Sequence, residues 1–227
     1  MRETSDPPLT DLGGRRTLCL MAAEPEYGAA LAARIAPLFV GVGPIEAAIE
    51  TTRALARLEA AGALPELVLS LGSAGSRALE QTRVYQVARV SWRDMDASAL
   101  GFEPGRTPFL DLPAELALPL RVPDLPEVRL STGANVVSGA GYDAIDADMV
   151  DMETFAVLRA CAGFDVPLVG LRGVSDGAEE LRRYADWSET LPVVDARLAE
   201  AVDALAGAIA NGSLERREGE GGARDEG

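Results

Sequence analysis

The chain has 227 residues, is 48% hydrophobic and carries a formal net charge of −15, enough length for one domain with a substantial core. The charge excludes a nucleic-acid phosphate surface or an anionic membrane as the main partner, and no stretch is long and apolar enough to span a bilayer. There is no histidine and no lysine, all 21 basic residues being arginine. Their absence removes Ser-His-Asp and Cys-His nucleophiles, most zinc sites, Schiff-base chemistry and the lysine-bearing phosphate loop, and leaves carboxylates as the foremost acid/base candidates.

In chain order, residues 1–15 read as a disordered tail rich in Pro, Gly and charge, with no apolar signal-peptide core. Thr17 to Ala23 is an apolar strand, Pro25 to Ile35 an Ala-rich helix, and Leu38 to Val42 a second strand ending in Gly41-Val42-Gly43-Pro44. Ile45 to Ala61 has helical spacing through Ile45, Ala48, Ile49, Thr52, Leu55 and Leu58. Leu67 to Leu71 is a third strand, followed by Gly72-Ser73-Ala74-Gly75; Val84 to Trp92 and Val128 to Thr132 are further strands. Ile145 to Val150 leads into a helix over Glu153 to Ala162, and Leu168 to Leu171 is the last strand. Val193 to Ala210 is an amphipathic helix with Val194, Leu198, Val202, Leu205 and Ile209 on one side, and residues 212–227 form a second disordered tail. Cys19 and Cys161 lie in apolar runs and read as reduced core residues of a cytoplasmic protein.

This alternation predicts an α/β domain over residues 16–211, a three-layer αβα sandwich around a mixed, mostly parallel twisted sheet. Ligands of such folds bind beyond the carboxyl ends of the strands. The strand exits here carry Glu24 and Glu26, Gly41-Val42-Gly43, Gly72 to Gly75, Thr132-Gly133, Asp151-Met152-Glu153, and Arg172-Gly173-Val174-Ser175-Asp176. Each has a plain structural reading. Glu24 and Glu26 suit a helix first turn, Ser175-Asp176 an N-cap, Arg172 a pair with Glu153, and Trp92 and Trp187 the core. Their joint arrival at successive exits favours one shared site.

The sequence Asp151-Met152-Glu153-Thr154, followed by Arg172-Gly173-Val174-Ser175-Asp176, resembles the nucleoside phosphorylase/nucleosidase superfamily and, within it, the 5′-methylthioadenosine/S-adenosylhomocysteine nucleosidases. Leu71-Gly72-Ser73-Ala74-Gly75 is similar to their Gly-Ser-Ala-Gly loop, Gly41-Val42-Gly43 to their Gly-Ile-Gly turn, and Ala22 to Glu26 to their first acidic loop. The resemblance implies a purine nucleosidase, with no cofactor and no metal, working as a cytoplasmic homodimer on a small-molecule nucleoside. It implies that Glu26 activates the attacking water, that Arg172 and Ser73 help hold that water, and that Asp176, oriented by Ser175, protonates purine N7. Met152 and Glu153 would contact the ribose. Val42, Ala74, Gly75, Val136 and Val137 would line the site. Two departures stand out. The segment between Glu26 and Gly41 is short, and the stretch Thr132 to Val137 lacks the family's acid and stacking aromatic, for which Trp187 is the candidate substitute. Ser70 stands where the hexameric phosphorylases carry a phosphate-binding arginine, which favours water over phosphate as the nucleophile. A futalosine-type hydrolase, a nucleoside phosphorylase and a nucleoside-binding protein without turnover are the alternatives.

Overall fold

Apolar runs that need both faces covered become the inner strands of one sheet, and the computed structural model describes how residues 6–177 and 179–217 arrange around it. The strands are β1 (Thr10–Leu12), β2 (Arg15–Met21), β3 (Leu38–Phe39), β4 (Leu67–Gly75), β5 (Val84–Trp92), β6 (Glu115–Ala117), β7 (Leu120–Arg121), β8 (Glu127–Thr132), β9 (Met149–Asp151), β10 (Leu168–Asp176) and β11 (Glu215–Arg216). The helices are α1 (Ala29–Ala32), α2 (Pro44–Ala60), α3 (Thr154–Ala162), α4 (Tyr184–Ser188) and α5 (Leu191–Ala210). The main sheet runs β1-β2-β4-β10-β5-β8-β9, with β3 on β2 and β6 on β5.

The fold is mixed α/β, and its sheet departs from the mostly parallel one expected. β2–β4, β4–β10, β5–β8 and β8–β9 are parallel, whereas β10–β5 and β5–β6 are antiparallel. The end of β4 also pairs antiparallel with β9 at Gly75↔Val150, so the sheet curls back and partly closes. Antiparallel neighbours leave no sequence signature in fully buried strands, because both kinds read as continuous apolar runs.

Helices α2 and α3 pack Ala47, Ala54, Leu55, Leu58, Val157 and Cys161 on one face of the sheet. α1 and α5 pack Leu31, Val194, Leu198, Val202 and Leu205 on the other. The buried side of α2 runs through Ala47, Thr51, Ala54, Leu55 and Leu58, while Ile45 and Ile49 face solvent. α5 begins two residues earlier than its apolar spacing suggested. Among the described residues, no helix is long and apolar enough to cross a membrane.

Two strands outrun their apolar cores. β4 continues through Gly72-Ser73-Ala74-Gly75, and β10 continues through Arg172 to Asp176. The glycine-rich stretch is therefore strand, and Ser175-Asp176 is not a helix cap. The expected helix over Pro25 to Ile35 shortens to a 3-10 turn at Glu24–Glu26 followed by one turn of α1. Pro25 cannot donate into a helix and Gly28 interrupts it. Of the expected tails, residues 1–5 and 218–227 lie outside the described residues. Thr10–Leu12 pairs with β2 and Glu215–Arg216 pairs with β7, so ordered structure reaches past both expected boundaries.

The acidic turn after β2 is anchored from below by one buried carboxylate. Asp195 on α5 accepts hydrogen bonds from the amides of Gly28, Ala30 and Leu31 at 3.0, 2.9 and 3.2 Å. Asp195→Ala orphans these part-buried donors, and we expect it to cost roughly 2–4 kcal/mol. Urea denaturation reads this directly; a loss below about 0.5 kcal/mol, the range of an ordinary surface change, would dismiss the anchor.

Candidate active site

The parallel pairing of β4 with β10 sets Arg172 beside Gly72, Gly173 beside Ser73, Val174 beside Ala74 and Asp176 beside Gly75. Above these strand ends lies a cavity of about 510 Å³. Of the residues expected at the site, Glu26, Val42, Ser73, Ala74, Gly75, Val136, Val137, Met152, Glu153, Asp176 and Trp187 all line it. Arg172 and Ser175 do not; both are buried beneath its floor.

Glu26 is buried whereas Glu24 is exposed, because the 3-10 turn points only the second acid inward. Gly72 permits the approach: a side chain there would sit 3.2 Å from Glu26 Oε1. Oε1 accepts from the Ser73 amide at 2.7 Å and the Ser73 hydroxyl at 2.6 Å. Oε2 is buried without a hydrogen-bond partner. Burial pushes the Glu26 carboxyl above the usual range, opposed by the Ser73 bonds and the positive charge of Arg172.

Arg172 is held by the protein itself. Its Nε donates to Asp151 Oδ2 at 3.1 Å, and its Nη2 to the hydroxyls of Ser70 and Thr154 at 2.9 and 2.7 Å. Nη1 donates to the Leu171 carbonyl at 3.0 Å. The ion pair is with Asp151, not with Glu153. Asp151 also accepts from Thr132 Oγ1 at 2.6 Å and the Thr154 amide at 3.0 Å. A space of about 10 Å³, the size of one water molecule, is bounded by Glu26, Ser73, Glu153 and Arg172 among others.

Glu153 immediately precedes α3, and its Oε1 accepts the amide of Gly43 at 2.9 Å. Burial, with the nearby negative charge of Asp151, raises its carboxyl pKa against the pull of Gly43 and Arg172. Asp176 takes the Ser175 hydroxyl on Oδ1 at 2.5 Å, and burial raises its pKa as well.

A family model described as the phosphorylase superfamily matches residues 127–207. The Haemophilus influenzae 5′-methylthioadenosine/S-adenosylhomocysteine nucleosidase is 31% identical over 189 residues, spanning 73% of this chain and 79% of the relative. The chain belongs to the 5′-methylthioadenosine/S-adenosylhomocysteine nucleosidase family. The Exiguobacterium nucleosidase of that name is 27% identical over 71% of this chain and 76% of its own. In fold, the chain is similar to the Colwellia psychrerythraea nucleosidase solved in complex with adenine. The TM-score is 0.68 at 20% identity, over 85% of this chain and 95% of that one.

Against that nucleosidase background, the roles of three residues at or beside the cavity escaped the sequence reading. Asp151 stood out only as one carboxylate of a strand exit, yet it is the buried hub that holds Arg172. Arg93 lines the cavity, its guanidinium held by the carbonyls of Ser131, Asp151 and Asn135 at 2.6, 3.0 and 2.6 Å. Carbonyl partners leave no pattern in sequence. Tyr142 has its buried hydroxyl beside Gly75 and Asp176 with no hydrogen-bond partner. Trp92 packs on Phe155 at 5.8 Å, in line with its core reading. Trp187 lines the cavity with its ring edge-on to Tyr184 and its indole N–H on Ser73 at 2.9 Å. Among the described residues, no cluster of His, Cys, Asp or Glu is placed to hold a metal.

Glu26, Glu153 and Asp176 all carry raised pKa values in the folded state. A carboxyl raised on folding favours the folded state fully below its unfolded pKa, and this is lost as pH rises through the folded value. We therefore expect wild-type stability to fall on going from about pH 4, the ordinary carboxylate range, toward neutrality. Asp176→Asn, which cannot ionise, should gain on wild type over that interval. Thermal denaturation at several pH values measures the difference; a gap that does not change with pH would contradict the desolvation of this carboxyl.

Proposed function

We propose that this protein is a hydrolase that cleaves the N-glycosidic bond of a purine nucleoside of the methylthioadenosine or S-adenosylhomocysteine kind, releasing the base. The observation that carries the reading is Glu26. It is a buried carboxylate with one oxygen tied to Ser73 and the other free, beside a space the size of one water and on the cavity shared with Asp176. Cleavage builds an oxocarbenium-like sugar and drives negative charge onto the purine. Glu26 removes a proton from water as it attacks the anomeric carbon, while Asp176 delivers a proton to N7 so that the base departs neutral. This is the two-carboxylate logic of glycoside hydrolysis, and it works without histidine. Glu153, fixed by Gly43, accepts hydrogen bonds from the ribose hydroxyls, and Met152 packs on the sugar.

Arg172 and Ser73 act on the base more than on the water. Ser73 gives both its donors to Glu26. Arg172 gives its to Asp151, Ser70, Thr154 and Leu171, and supplies a positive field that favours ionised Glu26. Ser70, where a phosphorylase needs a phosphate-binding arginine, is buried and occupied by Arg172. The carboxylates of Glu26 and Glu153 repel a phosphate dianion. We read residues 16–211 as one catalytic unit of a cytoplasmic homodimer; the exposed apolar side chains Ile45, Leu100 and Phe109 support contact between copies.

Adenine release from methylthioadenosine is expected at the same rate with and without phosphate, followed by absorbance or chromatography. Dependence on phosphate would reassign the protein as a phosphorylase, and tight binding without release as a nucleoside-binding protein. Glu26→Gln should lower turnover by about 10²–10⁴-fold, the usual contribution of a general base. Near-normal activity in that variant would remove Glu26 from the role. Glu153→Gln should lose the preference for ribose over 2′-deoxyribose substrates, a difference of about 1.5–3 kcal/mol for a hydrogen bond to a charged group. Equal cleavage of both sugars by wild type would rule out Glu153 as the ribose contact.

A further inference from the structure

Helix α4 contributes Tyr184 and Trp187 to the cavity wall, and one of these side chains connects it to Glu26. Trp187 Nε1 donates to Ser73 Oγ at 2.9 Å, and Ser73 Oγ donates to Glu26 Oε1 at 2.6 Å. The direction of this relay is fixed by chemistry. Indole N–H can only donate, and an ionised carboxylate can only accept. The Ser73 hydroxyl has one proton, so with the indole on its lone pair that proton points at Glu26.

We propose that Trp187 is a positioning residue for Glu26: its indole N–H locks the Ser73 hydroxyl into the orientation that donates to the carboxylate, so that α4 helps to hold the base ready to take a proton. The inference rests on Glu26 being the base of the proposed hydrolysis. It also gives Trp187 a different task from stacking on the purine, since the polar edge of the ring is committed to Ser73 and the ring meets Tyr184 edge-on, with centroids 5.2 Å apart.

The other charged groups around Glu26 are distributed over three elements. Arg172 on β10 favours its ionised form. Glu153, preceding α3, interacts with it as a like charge. Asp195 on α5 is occupied by the amides of Gly28, Ala30 and Leu31. None of these is altered by changing the indole to a phenyl ring. Ser73 and Trp187 are therefore separable from the charges. A donor on Ser73 Oγ polarises its O–H and strengthens the bond to Glu26, and losing that donor makes Glu26 easier to protonate.

The test compares wild type with Trp187→Phe, which keeps an aromatic ring against Tyr184 but has no N–H, and with Ser73→Ala. The general base must be ionised, so kcat/KM falls at low pH as Glu26 takes up its proton. We expect this acid limb to move upward by up to about half a pH unit in Trp187→Phe and by about one to two units in Ser73→Ala. The alkaline limb, set by Asp176, should stay in place. A uniform loss at every pH with an unmoved acid limb would overturn the proposal and leave Trp187 as a wall residue. Titration of the Glu26 side-chain carboxyl by ¹³C NMR, assigned through Glu26→Gln, gives the same midpoint without substrate. A higher midpoint in Trp187→Phe supports the relay even if methylthioadenosine is not cleaved. An unchanged midpoint refutes it even in a protein that is an active nucleosidase.

Discussion

Everything at the cavity depends on one piece of backbone geometry, the parallel pairing of β4 and β10, whose register slips by one residue at Ser175. The ends of the two strands bring Ser73, Ala74 and Gly75 from one and Asp176 from the other to the cavity floor, with Arg172 and Ser175 buried beneath. Parallel pairing puts Gly72 beside Arg172 and Gly75 beside Asp176, small residues of β4 next to charged ones of β10. Gly72 leaves room for Glu26, and Gly75 leaves room for the Tyr142 hydroxyl and Asp176. A side chain at either position would push a carboxylate out of place. The pairing thus sets Ser73, the partner of Glu26, and Asp176 on adjacent strand ends.

The same floor explains why an arginine is sunk where a hydrophobic residue would pack better. A buried ion pair gives little net stability, because desolvation consumes most of its Coulombic gain. Arg172 and Asp151 are nevertheless both buried, and between them they bind Ser70, Thr132, Thr154 and the start of α3. The network ties β10, β4, β8 and β9 together where the sheet partly closes. Its second effect is electrostatic. The Arg172 charge reaches both Glu26 and Glu153 without a direct hydrogen bond to either and favours their ionised forms. One buried cation therefore joins the strands mechanically and sets the field in which the carboxylates titrate.

The sequence made the rim legible because several chemical residues arrived together at the ends of apolar runs. Glu26, Glu153 and Asp176 were readable for that reason, and the structure brings all three to one cavity. Strand lengths were not readable. Gly72, Gly75 and Gly173 are poor strand formers, so the runs seemed to end early, yet each glycine is there because another group occupies the space of its missing side chain. The closure of the sheet was hidden as well, since it rests on a single pairing between Gly75 and Val150. Arg93 and Trp187 mark a further limit. Arg93 is placed by backbone carbonyls, and Trp187 takes its meaning from the direction of its N–H; neither property is encoded in residue spacing.

A site without histidine must obtain its acid and its base from residues of nearly equal intrinsic pKa, and here the two carboxylates have unequal surroundings. Glu26 and Asp176 are both raised by burial. Glu26, however, receives two donors from Ser73 and a share of the Arg172 field, all of which favour its charged form. Asp176 receives one donor, from Ser175, and no cation relieves its burial. Burial opposes ionisation of both, and more local donors and charge act against that effect at Glu26 than at Asp176. The proposed cleavage needs a carboxylate on the water side and a carboxylic acid on the purine side, and this asymmetry of donors acts in that direction. Removing one donor from Glu26 reduces the asymmetry, and adding one to Asp176 reduces it from the other side. The unpartnered Tyr142 hydroxyl lies beside Asp176, and a donor committed there would favour the carboxylate and weaken the acid.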